Sequence, residues 1–244
     1  MEEKKGVSRR AFLGASVASG AAVTAAGALG AAVPARAAGA DRIAFVTANL
    51  VAQVTDWRFE LAQWGEQHKK TVAATDEAAW RAVCAKIASH GFKAVEVWEA
   101  HAAPEAMDKK RCAAWKAALD DNGLQAIGYG GMFSRKTVDI CLALGIPQIN
   151  GWIGDLTPDQ AAALCKETGV RFNLENHPQK TARELLDIIG GGNEWLGVCA
   201  DTGWFGTQGV SGPDIIRELG ALVRHTHLKD VKAAGAHHTC LLGE

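Results

Sequence analysis

From residue 42 onward the chain alternates short apolar runs with stretches whose apolar residues recur at helical spacing. Seven runs read as strands: 42–51, 94–101, 124–133, 146–153, 170–177, 196–205 and 223–231. Between the first two, Trp80, Val83, Cys84 and Ile87 fall at i, i+3, i+4 and i+7, one face of a helix that Thr75 can cap. Thr157-Pro158-Asp159-Gln160 supplies a cap, a first-turn proline and a capping-box glutamine in order, and Thr181 with Glu184 repeats the box. Gly91, Gly123, Gly145, Gly169 and Gly220 each stand between a helix and the next strand, where a helix favours a residue that can turn left-handed.

A repeated strand–helix order implies a mainly parallel sheet covered by helices, either an open doubly wound sheet or a closed barrel. The polar residues decide between them. Neither G-x-G-x-x-G after the first strand nor G-x-x-x-x-G-K-[ST] occurs, and Gly190-Gly191-Gly192 follows a helix. Ionisable or amide side chains instead mark the C-terminal end of almost every strand: Glu99 and His101, Tyr129, Asn150 and Trp152, Glu175 and His177, Asp201, then His227 and Lys229. A barrel places its active site there, because only that rim brings all strand ends to one point. The expected fold is therefore α/β, a TIM (β/α)8-type barrel.

Three of these residues are equally spaced. Glu175 to Asp201 is 26 residues, and Asp201 to His227 is 26 again. Each interval is one strand–helix–strand step, which keeps the side chains at equal depth on strands five, six and seven. Two carboxylates and an imidazole form a mixed oxygen and nitrogen donor set suited to one divalent metal ion, Mn²⁺, Mg²⁺, Co²⁺ or Zn²⁺. Trp98, Trp152 and Trp204 lie around the same rim and offer flat apolar walls for a sugar ring, with His101 and Asn150 as further substrate-facing candidates.

The 244 residues would make one barrel of ordinary size, but both ends alter that picture. Ser8-Arg9-Arg10-Ala11-Phe12-Leu13-Gly14 opens a weakly apolar Ala/Gly/Val run closed by Ala35-Arg36-Ala37-Ala38. A charged start, an apolar stretch and an A-x-A site are the parts of an export signal, here resembling the twin-arginine type. Residues 1–37 are thus read as a signal and 38–244 as the barrel domain, exported and periplasmic, with no stable membrane anchor after cleavage. Cleavage leaves 207 residues and removes five basic and two acidic side chains, moving the net charge from −1 to −4. An acidic domain is a poor binder of polyphosphate, so no nucleic-acid partner is expected. The six cysteines have no paired spacing and sit in apolar patterns, so they read as buried thiols.

Four strings in order, Gly91-Phe92-Lys93-Ala94-Val95-Glu96-Val97-Trp98, Leu174-Glu175-Asn176-His177, Cys199-Ala200-Asp201-Thr202-Gly203-Trp204 and His225-Thr226-His227-Leu228-Lys229-Asp230, together resemble the xylose-isomerase-like TIM barrels, the sugar (phosphate) isomerases and epimerases. The resemblance implies that Glu175, Asp201 and His227 ligate the metal and that Glu175 is the catalytic base. His177 and Lys229 would then orient or protonate sugar oxygens, with His225 beside the metal or facing substrate. The implied reaction is proton abstraction next to a carbonyl of a small sugar or polyol, with a possible homo-oligomer as the working form. In the family an eighth strand carries a fourth ligand, a glutamate. The same 26-residue step would place it near residue 253, past Glu244, so the barrel reads as truncated after its seventh strand. A fragment, a partner chain supplying the strand, and Glu244 as a substitute ligand are the three explanations. A non-catalytic exported sugar-binding protein and a metal-dependent endonuclease of the same barrel superfamily are the alternative functions.

Overall fold

The computed structural model describes residues 43–55 and 63–244, so the export signal expected at 1–37 lies outside the described residues. Seven parallel strands run in sequence order: β1 (Phe45–Val46), β2 (Ala94–Trp98), β3 (Gln125–Met132), β4 (Gln148–Trp152), β5 (Arg171–Glu175), β6 (Leu196–Asp201) and β7 (Val223–His227). Each strand pairs in parallel with its neighbours in sequence. Eight α-helices are described: α1 (Trp64–Ala74), α2 (Glu77–Ser89), α3 (Lys109–Asp121), α4 (Arg135–Leu144), α5 (Pro158–Thr168), α6 (Ala182–Ile188), α7 (Thr202–Thr207) and α8 (Gly212–Leu219).

The sheet is curled. Glu96 on β2 and His227 on β7 are separated by five strand-to-strand steps, about 24 Å along a flat sheet, yet their side chains meet at 2.9 Å across the interior. This is the curvature of a TIM-type barrel. β1 and β7 are not paired with each other among the described residues.

Local chemistry explains where the elements start and stop. The capping box at Thr157 and Gln160 forms, with Pro158 in the first turn of α5. Gly145 and Gly169 close α4 and α5 with φ of 73° and 77°, values that a side chain would strain. Three expectations are corrected. Asp76, not Thr75, caps α2, accepting from the Ala79 amide at 2.8 Å; the Thr75 hydroxyl is already donated to the Thr71 carbonyl at the end of α1. The run 42–51 yields only the two-residue β1 before a 3₁₀ segment, Thr47–Thr55, and Thr47 Oγ1 instead accepts from the Trp98 amide. The runs 196–205 and 223–231 also stop early. Asp201 Oδ1 accepts from the Trp204 amide and turns the chain into α7. The Thr202 hydroxyl accepts from the Lys229 amide, taking the chain after His227 off the sheet and into an antiparallel hairpin, β8 (Asp230–Val231) with β9 (Thr239–Cys240).

The main apolar core lies between sheet and helices. Trp80 of α2 and Trp115 of α3 stack at 5.8 Å, and their indole N–H groups donate to the carbonyls of Trp115 and His101, so neither ring leaves a buried donor unpaired. All six cysteines are free thiols, five of them buried. Among the described residues no helix is long and apolar enough to cross a membrane.

Candidate metal centre

The inward-facing positions of the barrel are polar in two layers, because alternate residues of each strand point inside. The deeper layer is a closed ring of hydrogen bonds. Asn150 Nδ2 donates to Glu96 Oε2 at 3.2 Å, and Asn173 Nδ2 donates to Asn150 Oδ1 at 2.8 Å and to Gln148 Oε1 at 3.0 Å. The Gln148 amide faces His225 Nδ1 at 3.2 Å, and His225 Nε2 reaches Glu96 Oε2 at 2.5 Å. Glu96, Asn150 and Asn173 are fully buried. β3 makes room for this ring: a Cβ on Gly128 would stand 2.8 Å from Asn150 Nδ2, and one on Gly130 would stand 2.9 Å from Glu96 Oε1.

The outer layer holds the three residues singled out by their spacing. One donor atom from each of Glu175, Asp201 and His227 lies within 4.8 Å of the others. Parallel pairing puts Asp201 level with His227 but Glu175 level with Cys199, two residues before Asp201, so the equal depth expected from the spacing holds for β6 and β7 and not for β5. His227 is held at both ring nitrogens, Nδ1 by Glu175 Oε1 at 2.6 Å and Nε2 by Glu96 Oε1 at 2.9 Å. Asp201 is fully buried; its Oδ2 is 4.0 Å from His227 Nδ1 and in ion-pair contact with Lys229 Nζ at 2.5 Å, with no hydrogen bond aligned on it. The Asn176 side chain clamps the Asp201 backbone from both sides, accepting from its amide and donating to its carbonyl.

Electrostatics follows from this crowding. Burial alone would raise the Glu96 carboxyl, but His227 and His225 outweigh it and hold the group well below the usual carboxylate range. Glu175 is likewise lowered, its burial outweighed first by the His227 hydrogen bond. Burial would lower His227, yet Cys199, Glu96 and Glu175 together raise it well above an ordinary histidine. His177, 3.7 Å from Glu175 Oε2, is lowered, chiefly by burial. Lys229 is raised, the Asp201 charge outweighing burial.

The donor set suits a divalent cation. Two carboxylates and an imidazole converge, and the buried Asp201 Oδ2, 4.0 Å from His227 Nδ1, has no aligned hydrogen bond.

The six substrate-facing candidates separate into three pairs. Trp152, 49% exposed, and Trp204, packed edge-on against His177 at 4.4 Å, stand at the mouth. Asn150 and His225 belong to the deeper ring, where their polar atoms are committed to Glu96 and its neighbours. Trp98 and His101 are sealed away from the mouth. Trp98 packs on Trp64 and His68 of α1, and His101 Nδ1 bonds Thr47 Oγ1 at 3.0 Å beside the rings of Trp80 and Trp98. The 3₁₀ turn Glu99–His101 directs them outward under α1 instead of along the strand. Glu96 escaped the sequence reading of the site. The signal was present, a carboxylate inside the otherwise apolar β2, where only a strong partner can justify the desolvation cost.

A curled sheet of parallel strands with a carboxylate–imidazole cluster at their C-terminal ends defines a class of barrel proteins. Residues 84–243 match the sequence profile of the xylose isomerase-like TIM barrel family, and the chain belongs to that family. Solved structures share the fold. A xylose isomerase domain protein from Planctomyces limnophilus is 19% identical with a TM-score of 0.53, over 64% of this chain and 74% of that one. A probable 3-DHS dehydratase from Bacillus anthracis is 14% identical with a TM-score of 0.54, over 81% and 76%. A xylose isomerase-like TIM barrel protein from Mycobacterium smegmatis, solved in complex with magnesium, is 14% identical with a TM-score of 0.53, over 69% and 73%. A search of curated protein sequences finds no match.

Proposed function

We propose that the protein is a divalent-cation-dependent isomerase or epimerase of an unphosphorylated sugar or polyol. The observation that carries this reading is the convergence of Glu175, Asp201 and His227 within 4.8 Å at the strand ends. These three residues would hold the ion. A divalent cation there supplies Lewis-acid polarisation of substrate oxygens, which acidifies the carbon next to a carbonyl.

The remaining work falls to side chains. Glu175 is the base: it would ligate the ion through one oxygen and take the proton at Oε2, which has His177 Nδ1 at 3.7 Å. His177, whose Nε2 is buried without a partner and whose pKa is lowered, is a neutral imidazole able to pass a proton to or from a substrate oxygen. Lys229, raised and paired with Asp201, orients oxygen and balances charge; an ammonium held charged is a poor proton donor near neutrality. A cleft of about 440 Å³ opens beside Glu175 and His177, with Met132, Trp152 and Leu174 as apolar walls. Among the described residues no lysine or arginine lines it, which favours a neutral ligand over a phosphorylated one and disfavours a nucleic-acid backbone. In this reading residues 1–37 export the protein, and N-terminal sequencing of the exported form should begin at Ala38.

The test is exchange. Incubated in D₂O with Mn²⁺ and a panel of unphosphorylated ketoses, aldoses and inososes, the protein should place deuterium on the carbon next to the carbonyl of one of them, and EDTA should abolish the exchange. Sugar binding that ignores chelator, with no exchange, would establish the non-catalytic binder instead.

A further inference from the structure

We infer that Glu96 is a positioning residue for His227, fixing its ring so that Nδ1, and not Nε2, is presented to the side where Glu175 and Asp201 converge. The inference rests on the cation reading of that site and adds to it a residue from the opposite wall of the barrel.

Four observations carry it. First, Glu96 Oε1 holds His227 Nε2 at 2.9 Å, while Nδ1 lies 2.6 Å from Glu175 Oε1 and 4.0 Å from Asp201 Oδ2. A histidine whose one ring nitrogen ligates an ion commonly donates its other N–H to a carboxylate, and that bond sets both tautomer and ring angle. Second, Glu96 cannot swing away. Its other oxygen takes His225 Nε2 at 2.5 Å and Asn150 Nδ2 at 3.2 Å, and through them it is locked into the ring that runs via Asn173 and Gln148 back to His225. Third, the barrel wall is cut to fit it, since a Cβ on Gly130 would stand 2.9 Å from Oε1 and one on Gly128 3.3 Å from its carboxyl carbon. Fourth, Glu96 is fully buried in a strand whose five residues are all buried. A carboxylate in such a place is costly to desolvate, and an apolar residue of similar size would serve packing better. Its contacts, all on the polar interior of the barrel, account for its presence there.

The experiment measures Mn²⁺ affinity by titration, with the full chain and three variants. Glu96→Gln keeps the shape but offers only one acceptor oxygen to two rings, and should weaken binding by about 10- to 100-fold. Gly130→Ala keeps the charge but pushes the carboxyl off His227, and should weaken binding in the same direction. Ile149→Val loses a buried methylene in the apolar core, on the face of β4 opposite to Asn150, and should bind within twofold of the wild type although it unfolds more easily, which separates positioning from a general loss of stability. In the Zn²⁺-loaded wild type the His227 Nε2–H should give a slowly exchanging imidazole proton signal at low field, absent from Glu96→Gln. Wild-type affinity in Glu96→Gln and Gly130→Ala, or persistence of that signal in Glu96→Gln, would overturn the inference while leaving the cation site intact. A wild type that binds no Mn²⁺ would overturn the cation reading and this inference with it.

Discussion

Replacing His101 by Gln should flatten the acid dependence of stability, and the size of the change follows from where the ring sits. His101 is 5% exposed, bonded at Nδ1 to the Thr47 hydroxyl and enclosed by Trp80 and Trp98. Burial pushes its pKa down from 6.5 to about 4. In the unfolded chain the same imidazole titrates at about 6.5, so between pH 6.5 and 4 the unfolded state binds more protons. Stability is therefore complete above pH 6.5 and falls as the pH drops through this window. The loss from this group is about 2 kcal/mol at pH 5 and about 3.4 kcal/mol once the pH is below 4. Other groups contribute too: His177 in the same direction, His227 in the opposite one. They are common to both proteins, so the difference isolates His101. Urea unfolding of wild type and His101→Gln at pH 7.5 and pH 5.0 is the assay. The variant should be less stable at pH 7.5, having lost a fitted ring, yet lose about 2 kcal/mol less than the wild type on going to pH 5.0. Equal losses in the two proteins would mean that His101 titrates normally and faces water, as a substrate-facing residue at the rim would.

Lys229→Met removes the ammonium in contact with Asp201 Oδ2; it should lower the stability of the metal-free protein and tighten Mn²⁺ binding by about 5- to 50-fold, because a competing positive charge is gone, and weaker Mn²⁺ binding would refute this. Trp152→Ala takes away a half-exposed wall of the cleft and should raise KM about 5- to 20-fold with the melting temperature moved by less than about 2 °C; an unchanged KM would remove Trp152 from the site. Gly151→Ala should destabilise the fold by more than about 2 kcal/mol, since its φ is +158° and an added Cβ would lie 2.0 Å from the Gly131 carbonyl oxygen; urea unfolding gives the value, and a neutral result would contradict the close approach of β3 and β4.

Much of this architecture is legible in the sequence because it depends on local patterns. The glycines after five of the helices, the Thr157 box and the apolar runs locate β2 to β7 within a few residues, and the 26-residue steps single out Glu175, Asp201 and His227 before any contact is known. What escapes is set by tertiary contact. Glu96 carries no marker of its partners, which lie 129 and 131 residues away on β7. Trp98 ends β2 and His101 follows it, so both read as rim residues, but a 3₁₀ turn and the cover of α1 withdraw them. Asn150 sits at a strand end by sequence, yet its side chain points into the deeper ring. Thr75 has the chemistry of a cap, but Asp76 stands one residue closer.

The central claim is that Glu175, Asp201 and His227 form one divalent-cation site. Equilibrium titration with Mn²⁺, followed by the electron paramagnetic resonance of the free ion, tests it in the wild type and in Glu175→Gln, Asp201→Asn and His227→Gln. The account predicts one site per chain in the wild type and a loss of affinity of at least about 100-fold in each variant. Absence of binding, or variants that bind as the wild type does, would contradict it.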